Sequence, residues 1–309
     1  MILCCGEALI DMIPAAMPDG KIVFAPHSGG AVFNTAVALG RLGAETSFMT
    51  GLSNDMFGEQ LKRDLTASNV HRDCLISSSR PTTLAFVQLT DGQAQYAFFD
   101  ENSAGRMLSI EDMPRPSDRV SALFFGGISL VSEPAADAYL NFAQREGQNR
   151  AVMLDPNVRP AFIKNQEAYR IRLNQMLTVT DILKVSDEDI DWLIPDTAPL
   201  DEKIAQLKAK GPKCVIVTKG SKGAETHLPD GARATVPALN TKVVDTVGAG
   251  DTFNAGILAH LQSSGNLTKK RIASLDTRIW EDALRHAARA AAVTVSRSGA
   301  NSPWLRELS

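Results

Sequence analysis

The chain has few cysteines, and none of them forms a Cys-x-x-Cys pair: Cys4, Cys5, Cys74 and Cys214 are the four among 309 residues. That spacing argues against a zinc site or a dithiol centre. All four lie in or beside apolar segments, so they read as small buried hydrophobes in a reducing compartment. Strong charge of one sign is also lacking. The net charge is −3, which gives no global basic field for nucleic acid and leaves open only a local basic pocket for a phosphorylated ligand. Long apolar runs are missing too, since none approaches the roughly 18–20 residues that a membrane-spanning helix needs. Glu7 and Asp11 interrupt the N-terminal apolar stretch Met1–Ile13, which argues against a signal peptide. The expected location is the cytoplasm, with no membrane and no nucleic acid as partner.

What is present is a 44% hydrophobic chain, enough for one large α/β domain. Short apolar runs alternate with helical patterns, the mark of a mostly parallel, doubly wound sheet flanked by helices. Ile2–Cys5, Leu123–Phe125, Ala151–Leu154, Ile182–Val185 and Cys214–Thr218 read as strands covered on both faces. After them come Gly6-Glu7, Gly126-Gly127, Asp155-Pro156-Asn157, Ser186-Asp187 and Lys219-Gly220. Glycine and polar groups are therefore delivered to the carboxyl edge of the sheet, where such folds bind ligands. Helices are expected over Val32–Leu42, closed by Gly43, and over Glu281–Ser296. In the second, Leu284, Ala287, Ala288, Ala291, Ala292 and Val295 form the apolar face. Two stretches break the alternation, Met12–Phe24 and Thr82–Phe99, and the second carries Asp91-Gly92, a hairpin signal. These two can pair as a small sheet forming a lid over the main one.

Two segments carry chemistry. In Val243–Leu258, VVDTVGAGDTFNAGIL, a strand at Val243-Val244 leads into the turn Gly248-Ala249-Gly250 and a helix beginning near Asp251. Backbone N–H groups exposed at such a helix start form an anion hole. A carboxylate in the first turn can take a proton from an attacking hydroxyl, or it can simply favour its helix terminus. In Gly29–Gly43, GGAVFNTAVALGRLG, Gly29 and Gly30 permit close backbone approach and Asn34 can bond sugar hydroxyls. The plainer reading is tight packing, with Asn34 capping the helix.

Together Gly29–Gly43 and Asp245–Gly256 resemble the two signatures of the ribokinase-like (PfkB) carbohydrate kinases, in the expected order and over almost the whole chain. Neither a Gly-x-x-x-x-Gly-Lys-Ser/Thr loop nor a Gly-x-Gly-x-x-Gly fingerprint occurs, as fits a kinase family that uses neither. The resemblance implies a single ribokinase-like α/β domain over 1–309, with a lid at about 12–24 and 82–99. It implies Mg-ATP as phosphoryl donor, Asp251 as catalytic base and the Gly248, Ala249 and Gly250 amides as anion hole. Substrate contacts are expected from Asp11, Gly29, Gly30, Asn34, Phe98, Asn157 and Arg159. Nucleotide contacts are expected from Lys184, Ser186, Thr218, Lys219, Gly220, Gly223 and Asn254. Where many relatives carry Asn-x-x-Glu, this chain has Ser186-Asp187-Glu188-Asp189; Asp189 keeps a carboxylate for Mg2+ through water, although Ser-x-x-Asp is also a capping box. K+ is expected near Asp245, Val247, Gly299 and Ser302.

Within the family, the start CCGEALIDMIP, Tyr96–Leu108 and Asp155–Pro160 are most similar to the fructose-phosphorylating members, so D-fructose is the expected substrate and fructose 6-phosphate the product. The alternatives are 2-keto-3-deoxygluconate, another sugar or a nucleoside, and a non-catalytic sugar or nucleotide sensor. Asp100 and Glu101 in the lid would repel a substrate carboxylate, and the low aromatic content of 6% does not suit a base-binding slot. The apolar lid residues Leu84, Phe86, Val87 and Leu89 suggest a homodimer joined through the lid.

Overall fold

The computed structural model describes residues 1–90 and 93–308, with side chains other than those of 88–90 and 93–96. The Asp91-Gly92 turn and the Leu89 side chain lie outside the described residues. Strands and helices are numbered along the chain. β1 (Ile2–Cys5) sits between β4 (Thr46–Met49) and β9 (Ala122–Gly126), followed outward by β10 (Ala151–Asp155), β11 (Ile182–Ser186) and β12 (Cys214–Thr218), all parallel. β13 (Ala224–His227) and β14 (Arg233–Val236) continue this edge antiparallel.

The strand period of two divides the core. Ile2, Cys4, Phe124 and Met153 pack on one side with α1 (Ala31–Arg41), α2 (Met56–Ala67), α7 (Ala249–Ser263), α8 (Lys269–Ile272) and α9 (Thr277–Val295). Leu3, Cys5, Leu123, Phe125 and Leu154 pack on the other with α3 (Ala135–Glu146), α4 (Gln166–Leu177), α5 (Asp187–Leu193) and α6 (Leu200–Ala209). Both faces are covered, which is why these strands read as unbroken apolar runs. Among the described residues, no helix is long and apolar enough to cross a membrane.

A separate four-stranded sheet forms the lid, in the order β3 (Ile22–Gly29), β2 (Leu9–Ala16), β7 (Leu84–Thr90), β8 (Gln93–Phe99). The two stretches do pair, through Ile10 with Leu84 and Met12 with Phe86, and the first is itself a hairpin. Its strands run beyond Met12–Phe24 to Leu9 and Gly29, rooting the lid beside β1 and α1. Pair register places Met12, Phe24, Leu84, Phe86 and Phe99 on the outer face and Asp11, Ala85 and Phe98 on the inner one. Val87 therefore belongs to the inner face, not to the outer apolar one. A short pair, β5 (Gly51–Ser53) with β6 (Ile76–Ser78), lies apart from both sheets.

Two local expectations need correction. Val243-Val244 is not a strand; both residues are exposed, and the Val244 N–H donates to the Val295 carbonyl at the end of α9. With the Val244 and Asp245 N–H groups both turned to the end of α9, the segment pairs with none of the described strands. In α9 the buried face is Trp280, Ala283, Leu284, Ala287, Ala290 and Thr294, rotated from the Ala288–Ala292 stripe. The cause is α7, whose Gly256 presses on Ala287: a Cβ at 256 would lie 2.5 Å from the Ala287 Cα. Gly256→Ala is expected to force these helices apart and destabilise the protein by about 1–3 kcal/mol, read as a lower midpoint in denaturant.

Candidate active site

The site lies at the carboxyl ends of the parallel strands, beneath the inner face of the lid. A cavity of about 390 Å³ there is lined by residues from β2, α1, β10, β11 and the start of α7. Its floor is built by backbone. Gly248, at φ 75, is the left-handed residue preceding α7, and a Cβ on it would meet the Ala300 Cβ at 2.6 Å. The Ala249 N–H reaches back to the Thr246 carbonyl at 3.3 Å. Among the described residues, the N–H groups of Gly248, Gly250 and Asp251 have no acceptor. These three residues line the cavity at the positive end of a 15-residue helix. The open donors are thus 248, 250 and 251, while 249 closes the turn.

Asp251 stands in the first turn of α7, and its Oδ2 accepts from the Asn34 Nδ2 at 2.9 Å. Burial pushes its pKa up to about 7, helped by the charges of Asp155 and Glu7 and opposed by the Asn34 hydrogen bond and Lys184. A carboxylate poised there is protonated or free within the physiological range, as a general base requires. Asn34 orients this carboxylate and does not cap its helix. The cap is Glu7, whose Oε1 accepts from the Ala31 N–H at 2.8 Å and the Val32 N–H at 3.4 Å.

The cavity is also lined by Asp11, Gly30, Asn34, Phe98, Asn157 and Arg159, together with Leu9, Gly127, Ile128 and Phe162. Burial lifts the Asp11 pKa to about 6. Gly29 is required behind it, because a Cβ there would come within 2.1 Å of the Asp11 Oδ2. Phe98 meets the edge of Phe162 at 4.6 Å between centroids, which fixes the lid against the loop after β10. Asp100 and Glu101 are not at this cavity: Asp100 is held by Arg106 at 3.0 Å and Ser132 at 3.1 Å. The expectation that these lid acids repel a substrate carboxylate is therefore replaced; the acids facing the cavity are Glu7, Asp11, Asp155 and Asp251.

At the ends of β10 and β11, Lys184 and Asn254 converge on Asp155, at 3.0 and 2.7 Å. Thr218, Gly220 and Gly223 form the turn closing β12, with Gly220 at φ 53 and Gly223 at φ 98. Lys219 is held by Glu225 at 2.7 Å, away from the cavity. Asp189 does not reach the cavity either. It is buried, its Oδ2 accepts from the Ser186 N–H and its Oδ1 from the Val158 N–H, so the Ser186–Asp189 pair forms a capping box. Among the described residues, no group of three or more His, Cys, Asp or Glu could hold a metal. The proposed K+ residues do come together in part: Asp245 accepts from Val247 and Gly299 N–H groups at 3.0 and 2.8 Å, and the buried Ser302 Oγ has no partner among the described residues. Sequence reading missed Glu7, Asp155 and Phe162 as site residues.

An amide cradle, a buried carboxylate of raised pKa and a covered polar cavity at a doubly wound sheet define an enzyme that moves a phosphoryl group to a small alcohol. Residues 1–307 match the pfkB family carbohydrate kinases, and the chain belongs to that family. A fructokinase of Rhizobium leguminosarum bv. trifolii is 49% identical over 286 residues, 93% of this chain and 86% of that protein. Among solved structures, a Xylella fastidiosa fructokinase with bound ATP matches at TM-score 0.90 and 30% identity, covering 99% of this chain and 96% of that one. A fructokinase of Vibrio cholerae O395, bound to fructose, ADP and calcium, matches at TM-score 0.82 and 25% identity over 97% and 94%.

Proposed function

We propose that this chain transfers the γ-phosphoryl group of magnesium-bound ATP to the 6-hydroxyl of D-fructose, giving fructose 6-phosphate and ADP. The observation that carries the reading is Asp251, a carboxylate with its pKa lifted to about 7, beside open amides at a helix start. The similarity to the Rhizobium fructokinase supports fructose as the sugar. So do the acids facing the cavity, which suit hydroxyl groups and oppose the carboxylate of 2-keto-3-deoxygluconate.

Fructose sits under the lid with its hydroxyls toward Asp11 and Asn157 and its apolar face toward Phe98. The nucleotide enters along the turn after β12, and its γ-phosphoryl reaches the Gly248, Gly250 and Asp251 amides and Lys184. Asp251 takes the proton of the 6-hydroxyl as that oxygen attacks phosphorus in line, and ADP leaves. Charge developing on the transferred group is met by fixed N–H dipoles that need no rearrangement. A potassium ion, where bound, supplies positive charge beside the anion hole. Asp245, Val247, Gly299 and Ser302 would hold it, and the orphaned buried Ser302 hydroxyl fits that role.

Residues 1–309 act as one domain with the lid inserted in it. Two copies join through the outer lid face, where Ile22, Phe24 and Phe99 are exposed and Phe24, Phe86 and Phe99 stack edge to face at 5.1 and 5.5 Å. Three buried free thiols, Cys4, Cys5 and Cys214, support the cytoplasmic placement. A coupled ATP-consumption assay with fructose, ribose, 2-keto-3-deoxygluconate and adenosine tests the substrate. Fructose is expected to lead in kcat/KM by about 100-fold or more; a higher value for any of the other three would overturn the assignment.

A further inference from the structure

Beneath the anion hole lies a buried polar cluster centred on Asp155, a carboxylate to which neither the family signatures nor the proposed phosphoryl transfer gives a role. Asp155, at the end of β10, is 3% exposed. Its Oδ2 accepts from the Lys184 Nζ at 3.0 Å and from the Asn254 Nδ2 at 2.7 Å, and its Oδ1 accepts from the Asn157 N–H at 3.1 Å. Three elements therefore converge on one carboxylate: β11 brings Lys184, α7 brings Asn254, and the loop after β10 brings Asn157. Lys184 is 5% exposed, and among the described residues Asp155 is its one hydrogen-bond acceptor. An ammonium has three donors. The rest of its capacity faces the cradle, where a Cβ built on Gly250 would lie 3.5 Å from the Nζ.

The geometry points to Asp155 as a positioning residue: it holds the Lys184 side chain charged and aimed at the γ-phosphoryl pocket, so that the cation is in place before ATP arrives. A buried lysine without a partner tends to lose its proton. Here burial pulls the Lys184 pKa down, but the carboxylates of Asp155, Asp189 and Asp251 outweigh it and hold the ammonium above the usual lysine value. Asp155 is the largest of the three and the one in contact. Asn254 and Asn157 occupy two more of its acceptor sites and help to fix its orientation. Asn254 turns its amide nitrogen to Asp155 and leaves its own Oδ1 buried without a partner among the described residues, a cost that makes sense if orienting the carboxylate is the task. Asp155 also lines the cavity, but its contact with the lysine is the one through which the positioning role acts.

The inference rests on the phosphoryl-transfer reading above, and its test separates the two. Asp155→Asn, Lys184→Met and the double variant are compared with the parent enzyme for kcat, the KM of each substrate, and the pH dependence of kcat/KM for ATP. Lys184→Met is expected to lower kcat about 100–1000-fold, as for removal of one charge-stabilising group. Asp155→Asn is expected to lower it about 10–100-fold, as for groups that orient a charged partner. The KM for fructose should stay within a few-fold of the parent value. Without Asp155, burial prevails at Lys184, and the alkaline fall of kcat/KM moves to lower pH. The double variant should be no slower than Lys184→Met alone, because Asp155 then has nothing left to hold. Should Asp155→Asn fail to fold because it strands a buried cation, the double variant, which removes both charges, still decides the matter. Multiplying losses, or an unmoved alkaline limb in Asp155→Asn, would overturn the positioning role while leaving the kinase reading intact. Full activity in Lys184→Met would instead strike at the anion hole itself.

Discussion

Asp251→Asn should lower kcat about 1000-fold, within the range for loss of a general base, while binding of ATP, measured by calorimetry, stays near the parent affinity. The asparagine can still accept from the Asn34 Nδ2, so the local hydrogen bond survives and the loss isolates the proton-accepting role. Stability should move the opposite way. The folded-state pKa of Asp251, about 7, lies above its ordinary value of 3.8, so the folded protein holds this proton more tightly than the unfolded chain. The parent therefore loses stability as pH rises from about 4 through 7, when the buried carboxylate must ionise. Asp251→Asn escapes that loss, and its melting temperature should rise relative to the parent across the same window. A group kept at the expense of stability and needed for turnover is the pattern of an active site. A variant that turns over near the parent rate would remove Asp251 from the mechanism.

Gly248→Ala should be nearly as damaging by a different route. The residue is at φ 75, and the new methyl would meet the Ala300 Cβ at 2.6 Å and its Cα at 2.8 Å. Either the turn unwinds or the 299–302 loop is pushed back, and both displace the open N–H groups. A loss of about 100–1000-fold in kcat is expected, comparable with deletion of an oxyanion donor. The KM for fructose should change little. Gly231→Ala supplies the control: it has φ 88 and nothing within 4 Å of the built Cβ, so it bears the backbone penalty far from the site. It should reduce stability and leave kcat unchanged. Equal kcat losses in both variants would mean that the Gly248 effect is only general destabilisation.

The parallel strands were legible because burial on both faces leaves continuous apolar runs, and Ile2–Cys5 and Cys214–Thr218 appear with their ends where the sequence puts them. Asp251 and its glycine turn were legible because a helix start is a local event. Val243-Val244 failed because a strand needs a neighbour, and sequence spacing does not supply one. The partners of the site were hidden for a related reason. Glu7 caps a helix 24 residues away and accepts from Ser129 across 122, while Asn254 reaches Asp155 over 99 residues. Nothing in the local pattern around Glu7 or Asp155 distinguishes these carboxylates from others that end a strand. Lys219 shows the converse: its place in the Thr-Lys-Gly turn suggests a phosphate ligand, but Glu225 lies close enough to hold it. A charge-bearing motif fixes where a side chain starts, and neighbours from distant segments decide where it ends.

In the proposed reaction one carboxylate, tuned by its burial, receives the proton of the sugar hydroxyl. The pH dependence of kcat/KM for fructose, at saturating ATP, reads the ionisation of that group in the nucleotide-bound enzyme awaiting its sugar. An acid limb is expected with a midpoint near 7, where Asp251 loses its proton, and no such limb in the residual activity of Asp251→Asn. An acid limb with the same midpoint in both enzymes would contradict it.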